Sequence, residues 1–366
     1  MKKVLLTLSL SSFCFLLSIC VFGNENIVVN KEYKLSTIFQ TERSEVIWGF
    51  DFISKDELVI SLRSGKLYYF NILTNEKIQL EVPDIYSSGQ GGLLDVHFKT
   101  LQGIDYIYFT FSLKVGKVVT TALARGEYKN KRLENLKTIF KANVKSDSSS
   151  HFGSRLVFTD NHLFMTIGDR GERKYAQDLS YHNGKILRLT FDGRAAKGNP
   201  FESKPDALYE IWSYGHRNPQ GIDINPVNQK IYSAEFGPRG GDEVNIINKA
   251  KNYGWPIITY GREYWGFKIG STHKKGMEQP LVYWTPSISP SGMAFYTGDK
   301  IKEWKNNLFL AALGGSHLRR LVIKDDRIVS QTVLFKKLGE RFRHVRTGLD
   351  GYLYVSTDSG KIIKIE

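Results

Sequence analysis

One local pattern returns six times along this chain: a polar turn, a short apolar or aromatic run, a Gly or polar break, and a second strand-like run that often opens on Lys or Arg. The copies run from residues 56–61 (DELVIS) to 67–70, from 104–109 (IDYIYF) to 118–119, and from 161–166 (NHLFMT) to 186–189. The other three begin at 229–233 (QKIYS), at 307–310 (NLFL) and at 351–356 (GYLYVS), the last closing on 361–365 (KIIKI). Each is rich in β-branched and aromatic residues with Gly, Asn or Asp at the breaks, which is the pattern of a β-hairpin. Their spacing is irregular, roughly 45 to 80 residues, and a four-stranded propeller blade needs about 40. Six such hairpins therefore predict an all-β fold, a six-bladed β-propeller of four-stranded antiparallel blades, whose radial closure leaves only short, protected edges. The longer gaps, around 170–230 and 240–306, read as loops between strands, where such a fold carries its chemistry on one face. No long segment of helical period follows the N-terminal region.

Ahead of the first copy, Met1-Lys2-Lys3 leads into an apolar run from Val4 to Phe22 broken only by Thr and Ser. This reads as a secretory signal cleaved after about Gly23. The run is near the lower length limit for a membrane-spanning helix, which disfavours a retained anchor, and the bulky Ile19 disfavours a lipid anchor at Cys20. The expected organisation is a signal peptide at 1–23 and a single propeller domain at 24–366, periplasmic or secreted, with no stable membrane insertion after cleavage. Both cysteines, Cys14 and Cys20, lie in the signal, so the exported part has no thiol, disulfide or thiolate metal site. The formal charge is +14, of which Lys2 and Lys3 leave with the signal. No run of five or more Lys/Arg occurs, so a solubilising basic surface is expected and a nucleic-acid partner is not.

Three segments combine turn-forming Gly with converging polar groups. The first is residues 148–156 (SSSHFGSRL) with 166–171 (TIGDRG) close behind. A His on a loop before one strand and an Asp at the end of the next, here His151 and Asp169, can form a general base and its orienting carboxylate. The second, residues 210–221 (EIWSYGHRNPQG), places Arg217 and Asn218 beside aromatic residues. That suits gripping a planar anion through the guanidinium fork and the amide, or, more plainly, a structural blade corner. The third, residues 235–245 (EFGPRGGDEVN) followed by 252–256 (NYGWP), lets Gly and Pro turn carbonyls toward one centre while Asp242 and Glu243 add hard oxygen atoms. That donor set suits calcium rather than zinc.

These strings, with Gly184-Lys185-Ile186-Leu187-Arg188, Trp48-Gly49-Phe50, residues 90–95 (QGGLLD), 291–296 (SGMAFY) and 341–346 (RFRHVR), closely resemble the soluble aldose sugar dehydrogenases dependent on pyrroloquinoline quinone (PQQ), relatives of soluble quinoprotein glucose dehydrogenase. The resemblance covers nearly the whole exported chain. It implies that His151 takes the proton from the sugar C1 hydroxyl, that Asp169 holds and polarises the imidazole, and that the C1 hydride passes to the quinone to give the lactone. It further implies that Arg217 stabilises charge on the quinone oxygens, and that Gln90, Asn218, Arg341 and Arg343 bind the cofactor's edges and carboxylates. Calcium is implied at the carbonyls of Gly237 and Pro238, and a second, structural calcium at Glu243 and the main chain of Tyr253. The implied partners are an aldose substrate and an electron acceptor such as a small cytochrome or a quinone. Tyr264 and Trp265 offer stacking platforms at an open mouth.

The chain departs from the family pattern at three places. Leu313-Gly314-Gly315-Ser316-His317 stands where a Leu-Lys step is usual, which removes one cation; either Arg319 or His317 replaces it, or the cofactor is bound more weakly. His344 replaces the usual Asp, and Lys174 a Gln. Two other readings compete: a calcium-dependent lactonase-type hydrolase activating water on an axial metal, and a non-catalytic propeller binding glycans or proteins.

Overall fold

The computed structural model describes residues 32–366, so the signal expected at 1–23 lies outside the described residues. Twenty-four strands form six separate four-stranded antiparallel sheets. The first strand, β1 (Leu35–Gln40), belongs to the last sheet. Blade 1 contains β2 (Ile47–Ser54), β3 (Glu57–Leu62), β4 (Lys66–Asn71) and β5 (Lys77–Leu80), and blade 2 contains β6 (Leu93–Leu101), β7 (Ile104–Val115), β8 (Val118–Lys129) and β9 (Arg132–Lys141). Blade 3 is β10 (Leu156–Phe158), β11 (Leu163–Ile167), β12 (Lys185–Leu189) and β13 (Ile211–Tyr214); blade 4 is β14 (Pro219–Ile224), β15 (Ile231–Glu235), β16 (Asp242–Ile247) and β17 (Val282–Trp284). Blade 5 is β18 (Pro290–Phe295), β19 (Leu308–Ala312), β20 (His317–Lys324) and β21 (Arg327–Leu334). Blade 6 is β22 (Phe342–Thr347), β23 (Leu353–Thr357) and β24 (Lys361–Ile365), completed by β1.

The ring closes in two ways. β1 pairs with β24 from Leu35 opposite Ile365 to Gln40 opposite Lys361, so the two ends of the described chain share one sheet. The inner strands also touch in succession, β2 to β6, β10, β14, β18, β22 and back to β2. This is the six-bladed propeller that the repeat predicted.

The core is not one mass: among the described residues six slabs lie between the faces of neighbouring blades, and a smaller seventh cluster gathers Trp48, Leu94, Val119 and Phe152. Val59 and Tyr69 of blade 1 meet Ile107 and Phe109 of blade 2, and Phe164 and Ile186 of blade 3 meet Ile222 and Ile231 of blade 4. Leu58 of blade 1 packs on Ile362 of blade 6. A second strand of a blade is thus covered on both faces, and β11, β15, β19 and β23 are buried along their whole length. Among the described residues no helix is long and apolar enough to cross a membrane.

The axis is filled by polar side chains of the inner strands. Arg155, buried just before β10, donates from Nη1 to Asp95 Oδ1 at 2.8 Å, from Nε to the Gln220 carbonyl at 2.9 Å and from Nη2 to the Arg343 carbonyl at 3.0 Å. Its guanidinium carbon lies 3.9 Å from the Trp48 ring centroid. One cation therefore joins five of the six blades. Burial disfavours the charge on Asp95, but Arg155 and then His97 outweigh it and hold the carboxyl far below the usual range.

Removing one partner of such a buried pair leaves an uncompensated charge. Arg155→Met should lower stability by about 3–5 kcal/mol, read as a lower urea midpoint, and adding Asp95→Leu should recover much of that loss. Equal midpoints for the wild type and Arg155→Met would remove the pair from its axial role.

Candidate active site

The loops that begin the inner strands gather at one end of the ring. His151 lies on the loop before β10 and has a left-handed backbone, φ +54°, a conformation that costs energy in a non-glycine residue and must be held by its surroundings. Its N–H donates to Gln90 Oε1 at 2.9 Å, and two residues on the Gly153 N–H donates to Asn218 Oδ1 at 3.1 Å. Close approach of the next strand is equally necessary. A Cβ on Gly168 would fall 2.0 Å from the His151 carbonyl oxygen, so only glycine fits there.

That approach brings Asp169 against the imidazole. His151 Nδ1 lies 2.7 Å from Asp169 Oδ1, which also accepts the Gly171 N–H at 2.9 Å, while Oδ2 accepts the Trp255 indole N–H at 2.8 Å. Burial opposes ionisation of Asp169, but its bond to His151 and the His151 and Arg217 charges prevail and lower its pKa. The ring is therefore oriented by a fixed carboxylate, itself fixed by an indole. In the sequence Trp255 stands in a Gly/Pro-marked turn, and nothing in that turn signals an indole bond to a residue 86 positions earlier.

Arg217 completes the group. Its backbone N–H donates to Glu235 Oε2 at 2.7 Å, and its guanidinium lies 5.5 Å from the centroid of the same Trp255. Among the described residues the guanidinium makes two hydrogen bonds, 3.2 Å to the Phe236 carbonyl and 3.5 Å to the Tyr264 hydroxyl. A cation held by neutral oxygens alone can still receive an anion.

Arg341 and Arg343 also come together, through a residue the sequence did not point to. Asp358 accepts from Arg343 Nε at 2.8 Å and Nη2 at 3.0 Å, and from Arg341 Nε at 3.0 Å. Arg343 is buried and bonded further to Gln220 Oε1, whereas Arg341 is half exposed and reaches the Leu313 carbonyl at 3.3 Å. The two residues expected to replace the missing Lys are engaged with each other instead. His317 contacts the Gly315 carbonyl and accepts from Arg319 Nε, and Arg319 also donates to Gln331. The cation flanking the Gly314 turn is thus Arg341. His344 is buried with neither ring nitrogen hydrogen-bonded among the described residues, and burial depresses its pKa strongly.

The expected metal-binding residues converge in part. Glu235, Gly237, Glu243 and Tyr253 line one cavity of ≈ 10 Å³, about what one ion or water needs. Burial, and then the Glu235 charge, push the Glu243 pKa above the usual carboxylate range. Beside them the buried Asn245 Oδ1 has no hydrogen-bond partner among the described residues, and Asn245 Nδ2 donates to Glu243 Oε2 at 3.1 Å. Two crowded carboxylates and an unsatisfied amide oxygen suit a hard cation. Asp242, read from sequence as a further oxygen donor, is otherwise occupied. It accepts the Gly237 N–H on Oδ1, and the Ser287 hydroxyl and the N–H groups of Ile288 and Ser289 on Oδ2. It anchors the turn rather than offering a ligand. The Pro238 carbonyl accepts the Arg262 N–H at 2.9 Å.

Residues 44–364 match the Glucose / Sorbosone dehydrogenase family. The chain is 39% identical over 335 residues to the aldose sugar dehydrogenase YliI of Escherichia coli (strain K12), covering 87% of this chain and 89% of that protein. The crystal structure of the soluble aldose sugar dehydrogenase from Escherichia coli in the apo-form superposes with a TM-score of 0.87 at 37% identity, over 92% of this chain and 99% of that one. The PQQ-bound aldose sugar dehydrogenase from Streptomyces coelicolor gives a TM-score of 0.74 at 26% identity, over 92% and 99% of the two chains.

A carboxyl whose pKa is depressed on folding contributes stability that is present above its unfolded value and lost as pH falls through the folded one. Asp169 is such a group. Asp169→Asn should therefore flatten the acid limb of stability against pH, measured by urea unfolding from about pH 6 to 3, the span that brackets a carboxylate's ordinary pKa. An acid limb identical to the wild type would show that Asp169 is not held ionised by this network.

Proposed function

The chain belongs to the glucose/sorbosone dehydrogenase family and is an oxidoreductase acting on sugar CH–OH groups; within that family we propose that it oxidises aldoses at C1 to the lactone, using bound PQQ and calcium. The observation that carries the reading is the His151–Asp169–Trp255 relay set beside the loosely held Arg217 guanidinium.

With its Nδ1–H hydrogen-bonded to the Asp169 carboxylate, His151 keeps on Nε2 a lone pair that takes the C1 hydroxyl proton. Asp169 keeps the ring in that tautomer and steadies the imidazolium that forms, and Trp255 keeps Asp169 in place. Arg217 faces the negative charge that develops as the C1 hydrogen leaves with its electron pair. When bound, PQQ supplies the two-electron acceptor and calcium the Lewis acid that polarises it. A flat tricarboxylate needs cations from several directions, and Arg217, Arg341 and Arg343 come from blades 4 and 6, with Gln90 and Asn218 as amide partners. The Gly237 and Pro238 carbonyls are the proposed ligands of the calcium at the cofactor, and Glu243 with the Tyr253 main chain those of a second, structural calcium. The chain works after export, in the periplasm or outside the cell, and passes its electrons to a small cytochrome or a quinone.

Purified protein given PQQ, calcium and an aldose should reduce an artificial dye only when all three are present. His151→Gln should lower turnover by about 10²-fold or more while keeping the thermal stabilisation given by PQQ; near-normal turnover would remove the proposed base. Glu243→Gln relieves the crowding with Glu235, so its calcium-free form should melt no lower than the wild type and its calcium-induced upshift should shrink. An undiminished upshift would take calcium away from Glu243.

A further inference from the structure

One buried cation takes no direct part in the proposed reaction. Lys185 opens β12 with none of its surface exposed, and its Nζ meets no carboxylate among the described residues. Instead it donates to three main-chain carbonyls, those of Tyr175 at 2.9 Å, Ala176 at 3.0 Å and Asn183 at 2.6 Å. An ammonium has three N–H donors, and here each has an acceptor. The neighbouring ionisable groups supply no ion pair. Asp178 acts only at a distance, since its carboxylate binds the Ser180 N–H at 2.9 Å and hydroxyl at 2.7 Å. His182 accepts the Asn143 N–H and faces Glu210, and Tyr214 stands opposite Lys185 across the β12–β13 ladder. Burial therefore prevails and pushes the Lys185 pKa down to about 7.

The three carbonyls belong to one loop, which leaves the Asp169 strand through the 3₁₀ turn Arg173–Ala176 and returns at Asn183. Two side chains of that loop reach the catalytic group. Gln177, next to Ala176, donates from Nε2 to the Trp255 carbonyl at 2.8 Å and exchanges hydrogen bonds with the Asn252 amide at 3.0 and 2.8 Å. Asn183 Nδ2 donates to the Asp169 carbonyl at 3.0 Å, and the Asn183 amide also binds both main-chain groups of Lys145, on the segment that runs on to His151. Asp169 is thus held twice from this loop, at its carboxylate through the Trp255 indole and at its main chain through Asn183.

We infer that Lys185 is a positioning residue for the proposed base: by occupying the Tyr175, Ala176 and Asn183 carbonyls, its ammonium fixes the loop that sets Trp255 and Asp169, and through them the His151 ring. The inference rests on the reading of His151 given above. Only the charged form can do this. A neutral amine has two N–H groups and a lone pair, so one of the three carbonyls loses its donor and the relay loosens as pH rises through the folded value. Fold stability runs the other way. The folded pKa lies below the unfolded lysine value of about 10.4, so the unfavourable burial of the charge is fully present below about pH 7 and is relieved as pH rises between the two values. A lysine that merely supported the fold would leave turnover level across that window.

The test follows kcat and KM for an aldose in the PQQ- and calcium-loaded protein from about pH 6 to 9, beside urea midpoints. In the wild type kcat should fall severalfold on the alkaline side while KM holds and the midpoint does not drop. Lys185→Met should lower kcat by about tenfold or more, keep the thermal upshift given by PQQ, and lose that alkaline fall. In the cofactor-free protein the downfield proton resonance of His151 Nδ1–H, assigned by its disappearance in His151→Gln, should broaden over the same span in the wild type and be broad throughout in Lys185→Met. Level wild-type turnover, an unchanged resonance in Lys185→Met, or a kcat loss accompanied by an equal loss of the PQQ upshift would overturn the positioning role. Should Lys185→Met fail to fold, the two wild-type titrations decide. A wild type that oxidises no aldose yet shows the pH-dependent resonance would sink the His151 reading and leave the hold of Lys185 on His151 standing.

Discussion

The axis of this protein depends on one buried charge pair, Asp95 with Arg155. A buried ion pair adds little net stability because desolvation offsets the attraction, and its value lies in specifying one arrangement. Arg155 can specify a ring because a guanidinium is planar and donates in several fixed directions. It takes a carboxylate from blade 2, carbonyls from blades 4 and 6 and an indole from blade 1. Gln220, whose carbonyl it binds, reaches the Ser291 hydroxyl of blade 5 with its side chain. Six slabs of apolar packing could slide or change in number; one cation satisfied only by a particular set of blades cannot.

The site inherits its geometry from that layer. His151 stands four residues before Arg155, Arg217 three before Gln220, Gln90 five before Asp95, and Arg341 two before Arg343. Every proposed group on these loops is thus a few bonds upstream of a residue locked into the axis. Farther down the same strands a second polar layer follows, where Arg346 binds Asp51 at 3.1 Å and His97 at 2.8 Å. The inner strands therefore share one direction, and their starting loops must meet at one mouth. Residues from distant parts of the sequence converge without any long loop having to reach.

What the sequence revealed follows from burial. All six repeats open on the second strand of their blades, and the four with a closing run end on the third, where packing on both faces demands unbroken runs such as 308–312 (LFLAA). The innermost strands were not legible as strands, since they trade apolar residues for Gly and axial polar groups, as in Pro219–Ile224. The outermost were not either, because an edge such as Arg132–Lys141 is mostly exposed and reads as a polar turn. At the site, His151, Asp169 and Arg217 were readable because each sits in a Gly-marked loop. Glu235, Trp255 and Asp358 were not, since their importance lies in contacts made 18, 86 and 15 residues away along the chain.

The charges at the mouth explain why Arg217 is singled out. Arg341 and Arg343 share Asp358, and Arg173 is paired with Glu263. Each of these cations has its field partly cancelled and its direction fixed before any ligand arrives. Arg217 makes no ion pair among the described residues; its guanidinium has only a carbonyl, a hydroxyl and the face of an indole. The nearby carboxylates are committed elsewhere, Glu235 to the Arg217 backbone and His216, and Asp169 to His151, Gly171 and Trp255. Under the proposed reaction, a cation without an ion pair of its own would remain available for charge that appears only as a bond breaks, where stabilisation accelerates reaction rather than merely tightening binding.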